Sequence, residues 1–111
     1  MKLFRVVRLI PDYGKLAASK ARSKDWEEIS TKFLSAHPEC ECCGAPSEIA
    51  HHILPFSEHP ELELDEMNLG AVCVRHCCHL MWGHLGCYRS YNPAFREDAA
   101  HMLAKIKSRP D

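Results

Sequence analysis

Seven cysteines and eight histidines share a chain of 111 residues, and all but His101 fall between positions 37 and 87. That interleaving restricts the chain more than any other feature. A disulfide framework fits it badly, because the cysteine number is odd and histidines alternate with the thiols. The N-terminus, MKLFRVVRLIPDYGK, has too short an apolar stretch for a secretory signal, and arginines interrupt it. No apolar run approaches a membrane span. The expectation is a cytoplasmic protein in a reducing compartment, where such a pattern favours metal binding. A metal staple would also support the modest core of so small a chain.

The segment from Pro38 to Gly44 contains a C-x-x-C-G turn. Two thiolates at that spacing grip one zinc, and the glycine permits the tight turn behind them. The second pair is expected from Cys73 and Cys78, at the looser spacing C-x4-C. The zinc set is therefore Cys40, Cys43, Cys73 and Cys78. Cys42 in place of a neighbour, and His76 in place of Cys78, remain the alternatives. Cys77 and Cys87 are spare thiols.

The second cluster comprises Ala50-His51-His52-Ile53-Leu54-Pro55, then Asn68, then Cys78-His79-Leu80-Met81-Trp82-Gly83-His84. Adjacent strand residues point to opposite faces, so His51 and His52 need not do the same work. His79 and His84 are five apart, a poor spacing on a regular helix unless Gly83 bends or ends it. Phosphodiester hydrolysis needs a base to deprotonate water, and charge to offset the phosphate and the leaving oxygen. A neutral imidazole suits the first task and a cation held by imidazoles the second. An asparagine carbonyl accepting the base's other N–H would orient it.

Around this centre the spacing predicts a strand or arm over 4–10, broken by Pro11 and Gly14. A helix is expected from Ser23 to about Ala36, burying Trp26, Ile29, Phe33 and Leu34 and ended by His37-Pro38. Strands are expected over 49–56 and 68–72, a loop over 57–67, and a short helix over 79–84. A last helix is expected after Asn92-Pro93, with Asn as cap and Pro in the first turn. Its apolar face is Phe95, Ala99, Met102, Leu103 and Ile106, and His101 is read as a surface residue. The single domain thus divides into an arm and helix (1–37), a core (38–92) and a C-terminal helix (93–111).

Net charge is −1, but its distribution is uneven. Residues 1–32 carry eight Lys/Arg against four Asp/Glu, 33–84 carry one against eight, and 85–111 carry five against three. Any nucleic-acid contact should come from the flanks, with Arg89 and Tyr91 as candidates just after the histidine cluster.

The ordered set C-x-x-C-G, HH-I-x-P-F, P-E-L-E-L-D-x-x-N-L, C, C-H-L and G-H-L-G, spanning Cys40 to Pro93, resembles the HNH endonuclease family in its cysteine-knuckle form. Small standalone members occur in phages and bacteria. The resemblance implies an α+β fold with a ββα-metal (His-Me finger) core, a hairpin and helix around an ion, a structural zinc knuckle and flanking helices. It implies that His51, His79 and His84 hold a divalent metal (Mg2+, Mn2+, Ni2+ or Zn2+), that His52 is the general base, and that Asn68 orients it. DNA is the implied substrate, cut on one strand or both, and a phage-encoded member would act in the bacterial host cytoplasm. Whether a homodimer or a phage or host partner is involved stays open. The chain departs from the family in two extra residues between Cys73 and Cys78, where Arg75 and His76 are expected to bulge outward.

The competing expectation is a non-catalytic zinc module that contacts nucleic acid or protein. It accounts for the cysteines and leaves the histidine set unexplained. A metalloprotease ranks last, since no H-E-x-x-H run occurs.

Overall fold

A computed structural model of the chain describes residues 8, 9 and 22–109. Pro11, Gly14 and most of the expected 4–10 strand lie outside the described residues. Of that strand, β1 (Arg8–Leu9) is described. It pairs antiparallel with β4 (Ser90–Tyr91), Leu9 opposite Ser90.

The fold is α+β. At its centre β2 (Ile49–His52) and β3 (Leu69–Val72) form an antiparallel pair, with His51 opposite Gly70 and His52 opposite Leu69. The connection, residues 53–68, is a wide loop holding two short 3-10 turns, Pro60–Leu62 and Glu66–Asn68.

Helix α1 (Trp26–Ala36) covers one face of this ribbon. It starts later than Ser23, with Asp25 in the cap position; the Ser23 hydroxyl accepts the Asp25 N–H at 3.1 Å and its carbonyl accepts the Trp26 N–H at 3.1 Å, so the serine shapes the turn leading into the helix. At the other end the His37 N–H folds back to the Phe33 and Leu34 carbonyls, and Pro38 prevents another turn. Phe33 is buried with Ala50, Leu69 and Ala71, and Trp26, Ile29 and Leu34 pack around them. These are the residues whose helical spacing predicted a buried face.

The opposite face carries the second core, in which Ile53, Val72, Phe95 and Ala99 pack with the buried cysteines. Helix α2 (Phe95–Ser108) supplies Phe95 and Ala99. Glycine at position 70 is what admits it, for a β-carbon there would lie 2.5 Å from Phe95 Cε2. The helix starts later than Asn92-Pro93 suggested. Asn92 Oδ1 accepts the Ala94 N–H at 3.0 Å, so the asparagine shapes the turn leading into the helix, with Ala94 in the cap position. Ile106, expected on the apolar face, is 37% exposed because the core ends before the last turns. Acidic Glu97 and Asp98 in the first turn and Lys105 and Lys107 in the last suit the helix dipole. Among the described residues no helix is long and apolar enough to cross a membrane.

With both faces covered, β3 is buried along its whole length. The central ribbon is thus a rigid platform. Successive residues of β2 deliver their side chains to two separate environments.

Candidate metal centres

The first centre forms where a tight loop meets the end of β3. The Cys40 N–H donates to the Ala45 carbonyl at 2.6 Å, and the Gly44 N–H donates to the Cys40 carbonyl at 2.9 Å. Gly44 adopts φ +81°, the left-handed conformation the C-x-x-C-G reading required. The loop is fixed to β3 by Glu41, whose N–H donates to the Ala71 carbonyl (2.8 Å) and whose carboxylate accepts the Ala71 N–H (2.6 Å).

Cys40, Cys43, Cys73 and Cys78 bring their sulfurs within 4.8 Å of one another. The Cys43–Cys73 separation is 3.6 Å. That is far longer than a disulfide bond. It is close to the edge of about 3.8 Å that Zn–S bonds of 2.3 Å give a tetrahedron. The extra residues of the C-x4-C spacing are accommodated outside, since residues 74–77 are all exposed. Arg75 pairs with Glu48 at 3.0 Å, and Cys77 takes φ +60° to turn Cys78 inward. His76 lies 3.5 Å from Cys43 Sγ without belonging to the four-residue set.

Electrostatics favour a cation in this cluster. A hydrogen bond from the Cys42 side chain holds the Cys40 thiol down at about 4, against its burial. Burial raises Cys43 and Cys78. Cys42, fully buried, is raised by the bond it gives Cys40. Thiolates at Cys43 and Cys78 are therefore favoured only beside positive charge. Cys42 is a buried donor to a candidate ligand rather than its replacement.

The second centre lies on the same face of the ribbon as Phe95, where the chain leaves Cys78. Residues His79–Gly83 form a π-helical turn, with His84 closing it. The expected short helix is therefore wider than an α-helix, and the i to i+5 pattern brings two histidines five apart onto one face. Their Nε2 atoms lie 3.2 Å apart. His51 approaches from β2, its ring centroid 5.0 Å from that of His79 and 4.8 Å from that of His84. One ring nitrogen from each of the three lies within 4.8 Å of the others. Tetrahedral edges of about 3.3 Å, from Zn–N bonds of 2.0–2.1 Å, are the matching scale.

Two further observations fit a bound ion. His51 Nε2 is buried and has no hydrogen-bond partner among the described residues, an arrangement proteins rarely tolerate without a ligand. All three imidazoles are held neutral with lone pairs to give: burial lowers His51 far below the ordinary value, His79 to about 4, and His84 as well, with mutual repulsion adding to the first two. His84 Nδ1 donates to the Ser90 carbonyl at 2.8 Å, which leaves Nε2 as its acceptor nitrogen. Ser90, fully buried, also donates its hydroxyl to the His84 and Cys87 carbonyls.

His52 faces the other way. Its ring stacks on Trp26 of α1 at 4.4 Å. Its Nε2 donates to the Glu63 carbonyl at 2.9 Å, and its Nδ1 accepts from Arg22 at 3.2 Å. Burial lowers its pKa, partly offset by the Glu63 bond. The expectation that Asn68 would take this histidine's N–H needs correction. Asn68 accepts the Leu54 N–H (2.9 Å) and donates to the Leu54 and Leu62 carbonyls (3.1 and 3.4 Å), so its amide is consumed by backbone. It braces the two ends of the loop that carries Glu63.

Arg22 and Tyr88 carried no sequence signal, and Asn92 was singled out only as a helix cap. Arg22 stacks over Trp26 and Phe56 and lies 4.0 Å from the buried Glu63 carboxylate. Asn92, fully buried, donates its side chain to the Trp82 carbonyl (2.8 Å) and its N–H to the Gly83 carbonyl (3.0 Å), locking the π turn. Tyr88, half exposed, leans on both His79 and His84. Arg89 is exposed and belongs to neither cluster. No family model, curated protein or solved structure matches the chain.

Proposed function

We propose that the protein is a metal-dependent nuclease of the HNH (ββα-metal) class that hydrolyses DNA phosphodiester bonds. The observation that carries this reading is the convergence of His51, His79 and His84, next in sequence to a second histidine on the opposite face of the same strand. Four sulfurs close a tetrahedral site, as structural zinc requires, whereas three imidazoles leave a position for substrate or water.

A divalent ion held by His51, His79 and His84 would offset charge on the phosphate and stabilise the leaving oxygen. The imidazole set favours zinc or nickel over magnesium, which prefers oxygen ligands. The chain's own groups supply the rest. Donation to the Glu63 carbonyl fixes the His52 tautomer and makes Nδ1 its basic nitrogen. Arg22 occupies that lone pair. Arginine cannot give up its charge, so His52 accepts a proton from water once a phosphate oxygen draws the guanidinium away. Arg22 is half exposed, so its guanidinium can meet a phosphate arriving from solvent. Asn68 acts through backbone, holding the loop whose Glu63 carbonyl orients His52.

The occupied lone pair of His52 also favours the second reading, a zinc module that binds without cutting. A supercoiled-plasmid assay across zinc, nickel, manganese and magnesium separates the two. The expected result is nicked or linear product with the unmodified protein, and a loss of at least about 100-fold in His52→Ala at unchanged metal content. Two bound metals per chain with no hydrolysis in any metal would overturn the nuclease reading.

A further inference from the structure

Tyr88 stands at the open side of the histidine cluster. Its ring centroid is 5.1 Å from that of His84 and 5.6 Å from that of His79, the two less buried members. The ring is nevertheless 50% exposed, so the side that does not rest on the imidazoles is bare. The backbone is arranged to hold it there. Leu85 and Gly86 both adopt left-handed conformations, φ +53° and +86°, which fold the chain back over the π turn. The Leu85 conformation is costly for a residue with a β-carbon. The bend is pinned by the Gly86 N–H to the Leu80 carbonyl (2.9 Å), the Cys87 N–H to the His84 carbonyl (3.1 Å) and the Ser90 N–H to the Cys87 carbonyl (2.8 Å). The Tyr88 ring is held, half bare, beside the His79 and His84 imidazoles, with the exposed Arg89 next to it in the chain.

We infer that Tyr88 is a stacking platform for an unpaired base flanking the bound phosphate, and that the histidine site therefore prefers single-stranded or locally opened nucleic acid to intact duplex. The inference rests on the nuclease reading for its choice of ligand. Within a duplex both faces of every base are already covered, so only an unpaired or extruded base can lie on the tyrosine ring. Stacking of this kind tolerates any base, and Arg89 adds charge toward the backbone.

The test compares the zinc-loaded unmodified protein with Tyr88→Ala and Tyr88→Phe. Binding is read by fluorescence anisotropy of a labelled single-stranded oligodeoxynucleotide and of the same sequence as a duplex. Cleavage is scored on a gel from the same samples, and zinc per chain is measured for each variant. The expected result is tighter binding of the single strand by the unmodified protein. Tyr88→Ala should weaken that binding by about tenfold, the scale of one stacked base, with duplex binding unchanged, Tyr88→Phe unaffected and both metals retained. Equal losses on single strand and duplex, no loss at all, or metal lost from the histidine site in Tyr88→Ala would each overturn the inference. Tyr88-dependent binding without any cleavage would leave it standing and sink the nuclease reading instead. Cleavage with Tyr88-independent binding would do the reverse.

Discussion

Gly83 and His51 pack so closely that a β-carbon at position 83 would force one of them to shift: it would fall 2.9 Å from His51 Cε1 and 3.0 Å from its Nε2. The π turn and strand β2 are brought together at this point. Gly83→Ala should therefore push the turn from the strand, at a cost of roughly 1–3 kcal/mol. Metal analysis should show loss of the ion from the histidine site while zinc stays on the four cysteines. A variant that keeps both metals and its melting temperature would remove this contact from the account.

Cys43→Ser should be far more damaging. Structural zinc binding is worth on the order of 10 kcal/mol, comparable to the whole net stability of an ordinary domain. The expected outcome is loss of cooperative unfolding, seen by circular dichroism, and the same after strong chelation of the unmodified protein. Cys77→Gly is the contrasting case. Its left-handed backbone (φ +60°) and exposed position predict a gain of up to about 1 kcal/mol with full zinc content.

Acid should destabilise the metal-free histidine site by a predictable route. Burial holds His51, His52, His79 and His84 below the ordinary value of 6.5, His79 at about 4. The unfolded chain takes up protons from pH 6.5 downward, while the folded chain does so only at lower pH. Between those limits the unfolded state binds more protons, so stability falls as pH drops toward 4. Urea midpoints across that window should decline, and His79→Gln should flatten the slope. Parallel slopes would show that His79 titrates normally.

Asn92→Ala should loosen the π turn without touching a metal ligand. It removes a buried donor from the Trp82 carbonyl and the Ala94 N–H acceptor, worth about 1–3 kcal/mol for groups left unsatisfied. Cobalt substituted at the histidine site should show an altered visible spectrum. An unchanged spectrum with lowered stability would confine Asn92 to the helix entry.

Much of this arrangement was legible from residue order because the signals are local. The 3.6-residue spacing of Trp26, Ile29, Phe33 and Leu34 fixes which side of α1 is buried, and Gly after C-x-x-C fixes a left-handed turn. The cysteine and histidine sets were readable because metal ligands come in few types at few spacings. Asn68 shows where such reading fails. Its residue type suggested a bond to His52, yet the nearer unmet needs were the Leu54 N–H and the Leu54 and Leu62 carbonyls, which no spacing rule displays.

The sequence by itself determined most of the elements, the two groups of candidate ligands and the alternation that separates His51 from His52. Tertiary structure alone decided how His79 and His84, five apart, come to one face, since the π turn is braced by Asn92 and by His51 packing against Gly83. It also decided that Arg22, Glu63 and Trp26 surround His52 and that Tyr88 leans on the cluster. The His52 contacts join segments far apart in the chain, and their geometry is set by packing across the ribbon rather than by any local preference of the backbone.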